Sequence, residues 1–398
     1  MRILFAVPGV HIPHVATGGN MDLHEMALAV GALGHEVAVA AALPGKAHSA
    51  AVRQVPYRIR QLGDRSHLLV FRDTDNGYAT YRVGSWLVPR LVADRIRDWC
   101  PDVVVVQGYR AWNLAVAAVQ QGQPVVMRLI DRFGIQDFAQ AVAADPVVAA
   151  LLTNRLFSVV CNSRFTAAEF ERELGCAAPV IYPTIRPPAV AGLEIRPRYV
   201  TFISPVPDKG LSVALEVARL LPHREFRFVD GWWAARREIR KLGRELSRLP
   251  NVTWRESSIG LDDVFRLTGV ILMPSQVQEA FGRVIVEAGY HGIPAVASRV
   301  GGIPEAIGDS GILLDTHSTA AHWAEAIDDA RADGHRYGSL RAGALANAAR
   351  EEFEVSAITR RLLDVLSDHL SRSGVCSQIP GDVRIGREVG TKRGPSEL

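Results

Sequence analysis

The 398-residue chain reads as an α/β protein made of two doubly wound parallel-sheet domains that face each other across a cleft. Short apolar, β-branched runs such as Val103-Val104-Val105-Val106 and Val270-Ile271-Leu272-Met273 alternate with stretches of good helix formers, the signature of strand–helix–strand units in buried parallel sheets. The length suffices for two domains of ordinary size, and a proline-rich, aperiodic stretch at 183–197 separates two strand-first halves. The expected division is a first domain at 1–185, a linker at 186–198, a second domain at 199–355, a last helix at 356–371 and a disordered tail at 372–398.

In the first half, residues 2–7 read as a buried strand and residues 8–19 as a loop. Asn20 is the expected N-cap of a helix carrying Met21, Met26, Leu28 and Leu33. Gly18 and Gly19 do not complete G-x-G-x-x-G, so a dinucleotide dehydrogenase is not supported; they are expected to let backbone approach a ligand. His11 and His14 in the same loop are expected to be solvated, with an acid/base or metal-ligand pair as the weaker alternative. Residues 47–85 are arginine-rich and aromatic without clean periodicity, and 73–77 read as a turn. There follow an amphipathic helix at 86–99, strands at 102–107 and 124–129, and a helix at 112–121.

In the second half a strand at 199–203 leads into Ser204-Pro205-Val206-Pro207-Asp208-Lys209-Gly210, where a lysine in a Gly-ended loop above a strand can reach a diphosphate. A helix at 211–221, a strand at 226–231, a basic helix at 232–246 and a strand at 252–255 follow; Trp232-Trp233 reads as helix packing ahead of a stacking platform. Residues 269–298 then run strand, loop, helix, strand, with Gly292 stopping the helix. The loop before that helix lies at the carboxyl end of the strands, where open α/β sheets bind ligands, and the free N–H groups of 280–284 favour an anion. Glu279 stands at the helix mouth and Glu287 eight residues on, so two carboxylates border an anion site, an arrangement that suits a ligand bearing both phosphates and hydroxyls. The bland alternative is that Arg283 and Glu287, four apart, form a surface ion pair worth a few tenths of a kcal/mol. Helices at 320–333 and 342–370 close the second domain.

Glu279-Ala280-Phe281-Gly282, then Glu287-Ala288, Gly292-Ile293-Pro294 and Gly301-Gly302-Ile303-Pro304-Glu305, together resemble the donor site of family 4 retaining glycosyltransferases. The resemblance covers roughly residues 1–370, strongly in the second half, and implies a strand and capped helix from 158, a last strand of the first domain at 180–183, and the GT-B fold of two Rossmann-like domains, with the last helix returning to the first. It implies that Lys209 is the diphosphate lysine, that Glu279 holds sugar hydroxyls and Glu287 the ribose, and that Gly18 and Gly19 touch the donor phosphate or the acceptor. Ala280, Phe281, Gly282 and Arg283 would stabilise the departing diphosphate, the loop from Arg255 to Gly260 would hold the base, and 47–85 would be an acceptor-side insertion. Two positions depart from the family: Ile130 stands where a histidine precedes Asp131, which is left an orienting role or a plain helix cap, and Ser204 replaces an arginine.

The implied reaction is transfer of a sugar from a nucleotide diphosphate sugar, with retention, to a small-molecule, glycan or lipid-linked acceptor, catalysed by Glu279, Lys209 and Asp131. No carboxylate pair reads as the nucleophile and acid of a glycosidase. No D-x-D pair calls for a metal and no cofactor is expected. A sugar-nucleotide epimerase or hydrolase, or a catalytically silent binding subunit, are the alternatives. The net charge of +3 argues against nucleic acid and is compatible with weak contact to an anionic membrane surface. Cys100, Cys161, Cys176 and Cys376 form no C-x-x-C motif, which suits a reducing cytoplasm, and no run of about 18 apolar residues occurs.

Overall fold

The computed structural model describes residues 1–44, 60–62, 70–188, 196–231, 242–256, 260–332 and 334–374. The expected tail from 375 on, linker residues 189–195, and Trp232-Trp233 with the start of the basic helix fall outside them. In order, the first half comprises β1 (Arg2–Val10), α1 (Gly18–Ala32), β2 (Glu36–Ala42), β3 (Arg60–Leu62), β4 (Val70–Asp73), β5 (Ala79–Val83), α2 (Val88–Trp99), β6 (Val103–Gln107), α3 (Trp112–Val119), β7 (Val125–Leu129), α4 (Arg132–Ala144), α5 (Pro146–Ala149), β8 (Phe157–Cys161) and α6 (Arg164–Leu174). The second comprises β9 (Tyr199–Ile203), α7 (Leu211–Leu220), β10 (Glu225–Val229), β11 (Val252–Arg255), α8 (Asp262–Phe265), β12 (Thr268–Met273), α9 (Arg283–Gly289), β13 (Ala295–Ser298), α10 (Ile303–Ile307), β14 (Ile312–Leu314), α11 (Ala320–Ala330), α12 (Gly334–Ala348) and α13 (Val355–Ser373).

Two sheets result, ordered β3-β4-β5-β2-β1-β6-β7-β8 and β11-β10-β9-β12-β13-β14. Every pairing is parallel except β3 with β4 and β4 with β5. The continuous apolar runs fall where both faces are covered: Val103 to Val106 are fully buried between helix layers. Of the insertion that lacks periodicity, residues 47–59 and 63–69 fall outside the described residues, and β3 and β4 extend the sheet beyond β5 as a short antiparallel edge. Its anchor is Arg82, fully buried, whose Nε donates to Asp73 at 2.7 Å and whose guanidinium also donates to the Ile12 carbonyl at 2.7 Å.

Several boundaries move for local reasons. Helix α1 starts at Gly18 with Thr17 as its cap, because the Asn20 amide is committed to the carbonyls of Val10 and Val15 and so ties the preceding loop down. Residue 180 makes a single bridge to Cys161 instead of a full strand, since prolines at 179 and 183 remove the donors a ladder needs. The expected helix at 342–370 is broken at 349–354, where a turn sends Phe353 inward. Helix α13 then lays Ile358, Leu362, Leu366 and Leu370, spaced by four, into the core of the first domain beside Phe5 and Val30.

Tyr182, Phe281 and Phe353 meet at the domain junction with ring centroids 5.2–5.5 Å apart. One ring comes from the end of the first domain, one from the loop before α9 and one from the turn before α13, so this edge-to-face cluster links all three segments. Phe353→Ala should lower the stability of the chain by about 3–5 kcal/mol through the cavity it leaves. A urea midpoint within a few tenths of a molar of wild type would show that the junction bears no weight.

Candidate active site

The carboxyl ends of both sheets open onto one cleft of about 2170 Å³. Lys209 and Glu279 meet on its second-domain wall: the ammonium donates to Glu279 Oε1 at 2.5 Å, and Ser275 Oγ donates to the same oxygen at 2.7 Å. Glycines bring the two loops together. Gly210 has φ +85°, and a Cβ there would overlap the Pro274 carbonyl at the end of β12. Gly301, at φ +55°, and Gly302 lie flat against the backbone of Glu279 and Ala280 with no room for a side chain. Gly302 N donates to the Glu279 carbonyl at 2.8 Å and Gly301 N to Gln278 Oε1 at 2.7 Å. The Gly-Gly turn is therefore a brace for the loop that carries the catalytic candidates. Glu305, which ends the motif, reaches the first domain and accepts from Tyr182 OH at 2.5 Å and from Arg164 N at 3.0 Å.

Arg283 closes the cleft from behind. Its Nε donates to Glu287 at 2.6 Å, while the terminal nitrogens donate to the Thr184 carbonyl and to Glu25 of α1, each at 2.7 Å. The surface ion-pair reading is thus corrected: the Arg283–Glu287 pair exists, but its guanidinium side chain is only 10% exposed and its partners include the opposite domain. Burial raises the Glu25 carboxyl above its ordinary range, with the neighbouring guanidinium offsetting part of the effect. One layer further in, Asp22 accepts from Thr184 N at 2.8 Å and from Arg128 at 2.9 Å.

Gly18, Gly19, Asp131, Lys209, Glu279, Ala280, Phe281, Gly282, Arg283 and Glu287 all line the cleft. Gly19 has a packing reason to lack a side chain, since a Cβ would sit 2.5 Å from Ile130 Cδ1. Asp131 is the N-cap of α4, with Oδ1 accepting from Gly134 N at 2.6 Å, and burial raises its carboxyl. Arg255 ends the edge strand β11: its carbonyl accepts from Asp230 N at 2.8 Å and its side chain lies 3.6 Å from Asp263. Of the loop from Arg255 to Gly260, residues 257–259 fall outside the described residues, and Gly260 lines the cleft. The histidines are a correction. His11 and His14 are fully buried off the cleft, and His11 and His24 both bond Tyr78 OH, at 2.9 and 2.8 Å. Burial, then the Arg82 charge, pushes His11 well below the ordinary imidazole range. Among the described residues no three His, Cys, Asp or Glu side chains gather as a metal cage.

Sequence reasoning missed Glu25, which lies far from any motif, and Asp230 at the end of β10. Asp230 lines the cleft with Oδ1 buried and without a hydrogen-bond partner, and burial raises its carboxyl to about 6. Beside it Ser204, at φ +58°, packs so closely on Gly231 that a Cβ there would overlap its hydroxyl. A lone Asp at a strand end has no spacing to mark it.

Two outcomes follow from this geometry. Glu25→Gln leaves a buried guanidinium with one carboxylate in place of two; because Glu287 remains, the loss should fall below the roughly 3–5 kcal/mol of a fully broken buried pair. The radius of gyration of the unliganded protein should increase in small-angle scattering, and an unchanged radius would show that the clamp does not hold the domains. For Asp230 the folded pKa lies above the unfolded one, so the stability of its neutral form is present at low pH and is lost as pH rises through about 6. Above that pH the cleft wall gains a negative charge. Affinity for an anionic ligand in the cleft should accordingly rise several-fold from about pH 7.5 to about pH 5, and Asp230→Asn should flatten the profile in calorimetric titrations.

Known proteins share this architecture. A "Glycosyl transferase 4-like domain" model matches residues 17–183 and a "Glycosyl transferases group 1" model matches residues 196–351. A D-inositol 3-phosphate glycosyltransferase of Stackebrandtia nassauensis is 38% identical over 143 residues, covering 35% of this chain and 31% of that protein. Its counterpart in Corynebacterium aurimucosum is 28% identical over 194 residues, 45% of each. The chain thus matches less than half the length of these curated relatives. Among solved structures, Anabaena HepE in complex with UDP and glucose superposes with a TM-score of 0.68 at 20% identity, covering 92% of this chain and all of that one. A Rickettsia africae glycosyltransferase superposes with a TM-score of 0.66 at 16% identity, covering 93% and 98%. With both domain models matched in their proper order on the two-domain architecture of solved glycosyltransferases, the chain belongs to the family 4 glycosyltransferases of GT-B fold.

Proposed function

We propose that the protein transfers a sugar from a nucleoside diphosphate sugar to an acceptor hydroxyl with retention of anomeric configuration. The observation that carries the reading is the Lys209–Glu279 pair, a cation and a carboxylate held at 2.5 Å on braced loops at the cleft wall. When a donor enters, the ammonium pairs with the diphosphate and Glu279 is released to accept from sugar hydroxyls. Backbone N–H groups of 280–282 add to the stabilisation of the leaving charge, and Glu287 accepts from the ribose. Arg283 would exchange Glu25 for phosphate, which couples donor entry to the domain junction. Ser204 supplies no charge where the family has an arginine, so Lys209 bears more of the leaving group.

HepE has been crystallised with UDP-glucose, which makes a UDP-hexose the first donor to try. The curated relatives transfer sugars, which favours transfer over epimerisation, hydrolysis or a silent subunit. No described helix is by itself long and apolar enough to cross a membrane, and we place the enzyme in the cytoplasm, where nucleotide sugars are made, with at most weak contact to a membrane surface.

The test pairs two substitutions. Lys209→Ala removes a charge-assisted contact that strengthens as charge develops on the leaving oxygen, so kcat and binding should both fall, by roughly 1.5–3 kcal/mol. Glu287→Ala should raise KM and weaken UDP binding with a smaller effect on kcat. Proton NMR of the first product reports the anomeric configuration. Normal turnover and nucleotide affinity in both variants would place the donor site elsewhere, and an inverted linkage would remove the proposed stereochemistry.

A further inference from the structure

The first-domain wall of the cleft carries three aromatic rings that the fold leaves in solvent. Trp86 is 80% exposed, Tyr109 58% and Phe133 66%, and all three line the cleft. They follow β5, β6 and β7 in turn, at the carboxyl edge of the sheet. In the order β5-β2-β1-β6-β7 the strand carrying Trp86 is three positions from the strand carrying Tyr109, and the strand carrying Phe133 is one further. At about 4.8 Å per strand the rings are spread over roughly 19 Å, several times the width of one sugar ring. Large rings left exposed inside a ligand cleft are rigid contact area awaiting a partner. The turn presenting Tyr109 adds a second observation: Arg110 sits at φ +59°, a left-handed conformation that an arginine adopts at a cost and that tends to be retained at functional sites.

Two arginines of this wall are already engaged. Arg110 lies 3.9 Å from Asp137 and stacks on Tyr109 with its guanidinium carbon 5.4 Å from the ring centre, and Arg132 donates to Glu169 at 3.0 Å. We propose that the acceptor of this enzyme is an extended molecule that presents ring faces, an oligosaccharide or an aryl glycoside, stacked along Trp86, Tyr109 and Phe133. This inference rests on the transferase reading, with the donor on the opposite wall. It departs from the small phosphorylated polyol for which the curated relatives are named. Each ring contributes a stacking contact, and the distance they span selects length.

Saturation-transfer NMR on the full chain in the presence of UDP tests it, with maltotetraose, p-nitrophenyl α-glucoside and D-myo-inositol 3-phosphate as probes. Transfer to the ring protons of the tetrasaccharide or the aryl glycoside, lost by about three- to tenfold in Trp86→Ala and in Phe133→Ala, supports the proposal, and which of the two responds identifies the source of the rings. Inositol phosphate binding more tightly than both, or probe binding indifferent to the two substitutions, overturns it. So does co-sedimentation with phosphatidylcholine–phosphatidylglycerol vesicles that depends on Trp86, since the rings would then serve a membrane. UDP affinity measured on the same samples separates the two levels. A chain that does not bind UDP removes the transferase reading and this inference together, whereas UDP binding without a ring-dependent acceptor signal removes this inference alone.

Discussion

A single buried guanidinium bridges the two domains of this architecture. Arg283 opens the first turn of α9 in the second domain, yet two of its three partners, Glu25 and the Thr184 carbonyl, belong to the first. A charge so deeply placed is tolerable only when it is fully paired, and here every partner is also a group the cleft depends on. Glu287 is the candidate ribose ligand, Glu25 sits on the helix that opens with Gly18 and Gly19, and Thr184 stands where the chain leaves the first domain. The position of the two walls relative to each other is thus tied to the pairing of Arg283 with two carboxylates and one backbone carbonyl, with the Tyr182, Phe281 and Phe353 rings supplying the apolar half of the same junction.

Around that clamp the binding loops are fixed by absence of side chains. Gly210, Gly301 and Gly302 each stand where another loop's carbonyl fills the space of a Cβ. The consequence is chemical: Lys209 and Glu279 are presented by backbone that cannot relax away from the cleft, and preorganised charge is worth more than charge that must reorganise. The motif glycines and the catalytic candidates are one device.

The two walls differ in character. The second-domain wall is ionic, with Lys209, Glu279, Glu287 and Asp230 close to the strand ends, and is suited to a ligand with phosphates and hydroxyls. The first-domain wall offers exposed rings, with Arg110 beside Asp137 and Arg132 bonded to Glu169.

What the residues alone determined is the part governed by local physics. Periodicity placed the strands, and the combined spacing from Glu279 to Glu305 marked a braced loop on the cleft wall, because a glycine forced by a carbonyl and a carboxylate at a helix mouth are constraints written a few residues apart. The same residues could not reveal Glu25 beside Arg283, two side chains 258 positions apart whose pairing exists only once the domains have docked. Nor could they show that His11 and His14 turn inward, with Tyr78 and Arg82 of the inserted hairpin meeting His11. Burial, partner and the sign of a pKa shift are properties of the assembled sheet edges, and only the tertiary structure decided them.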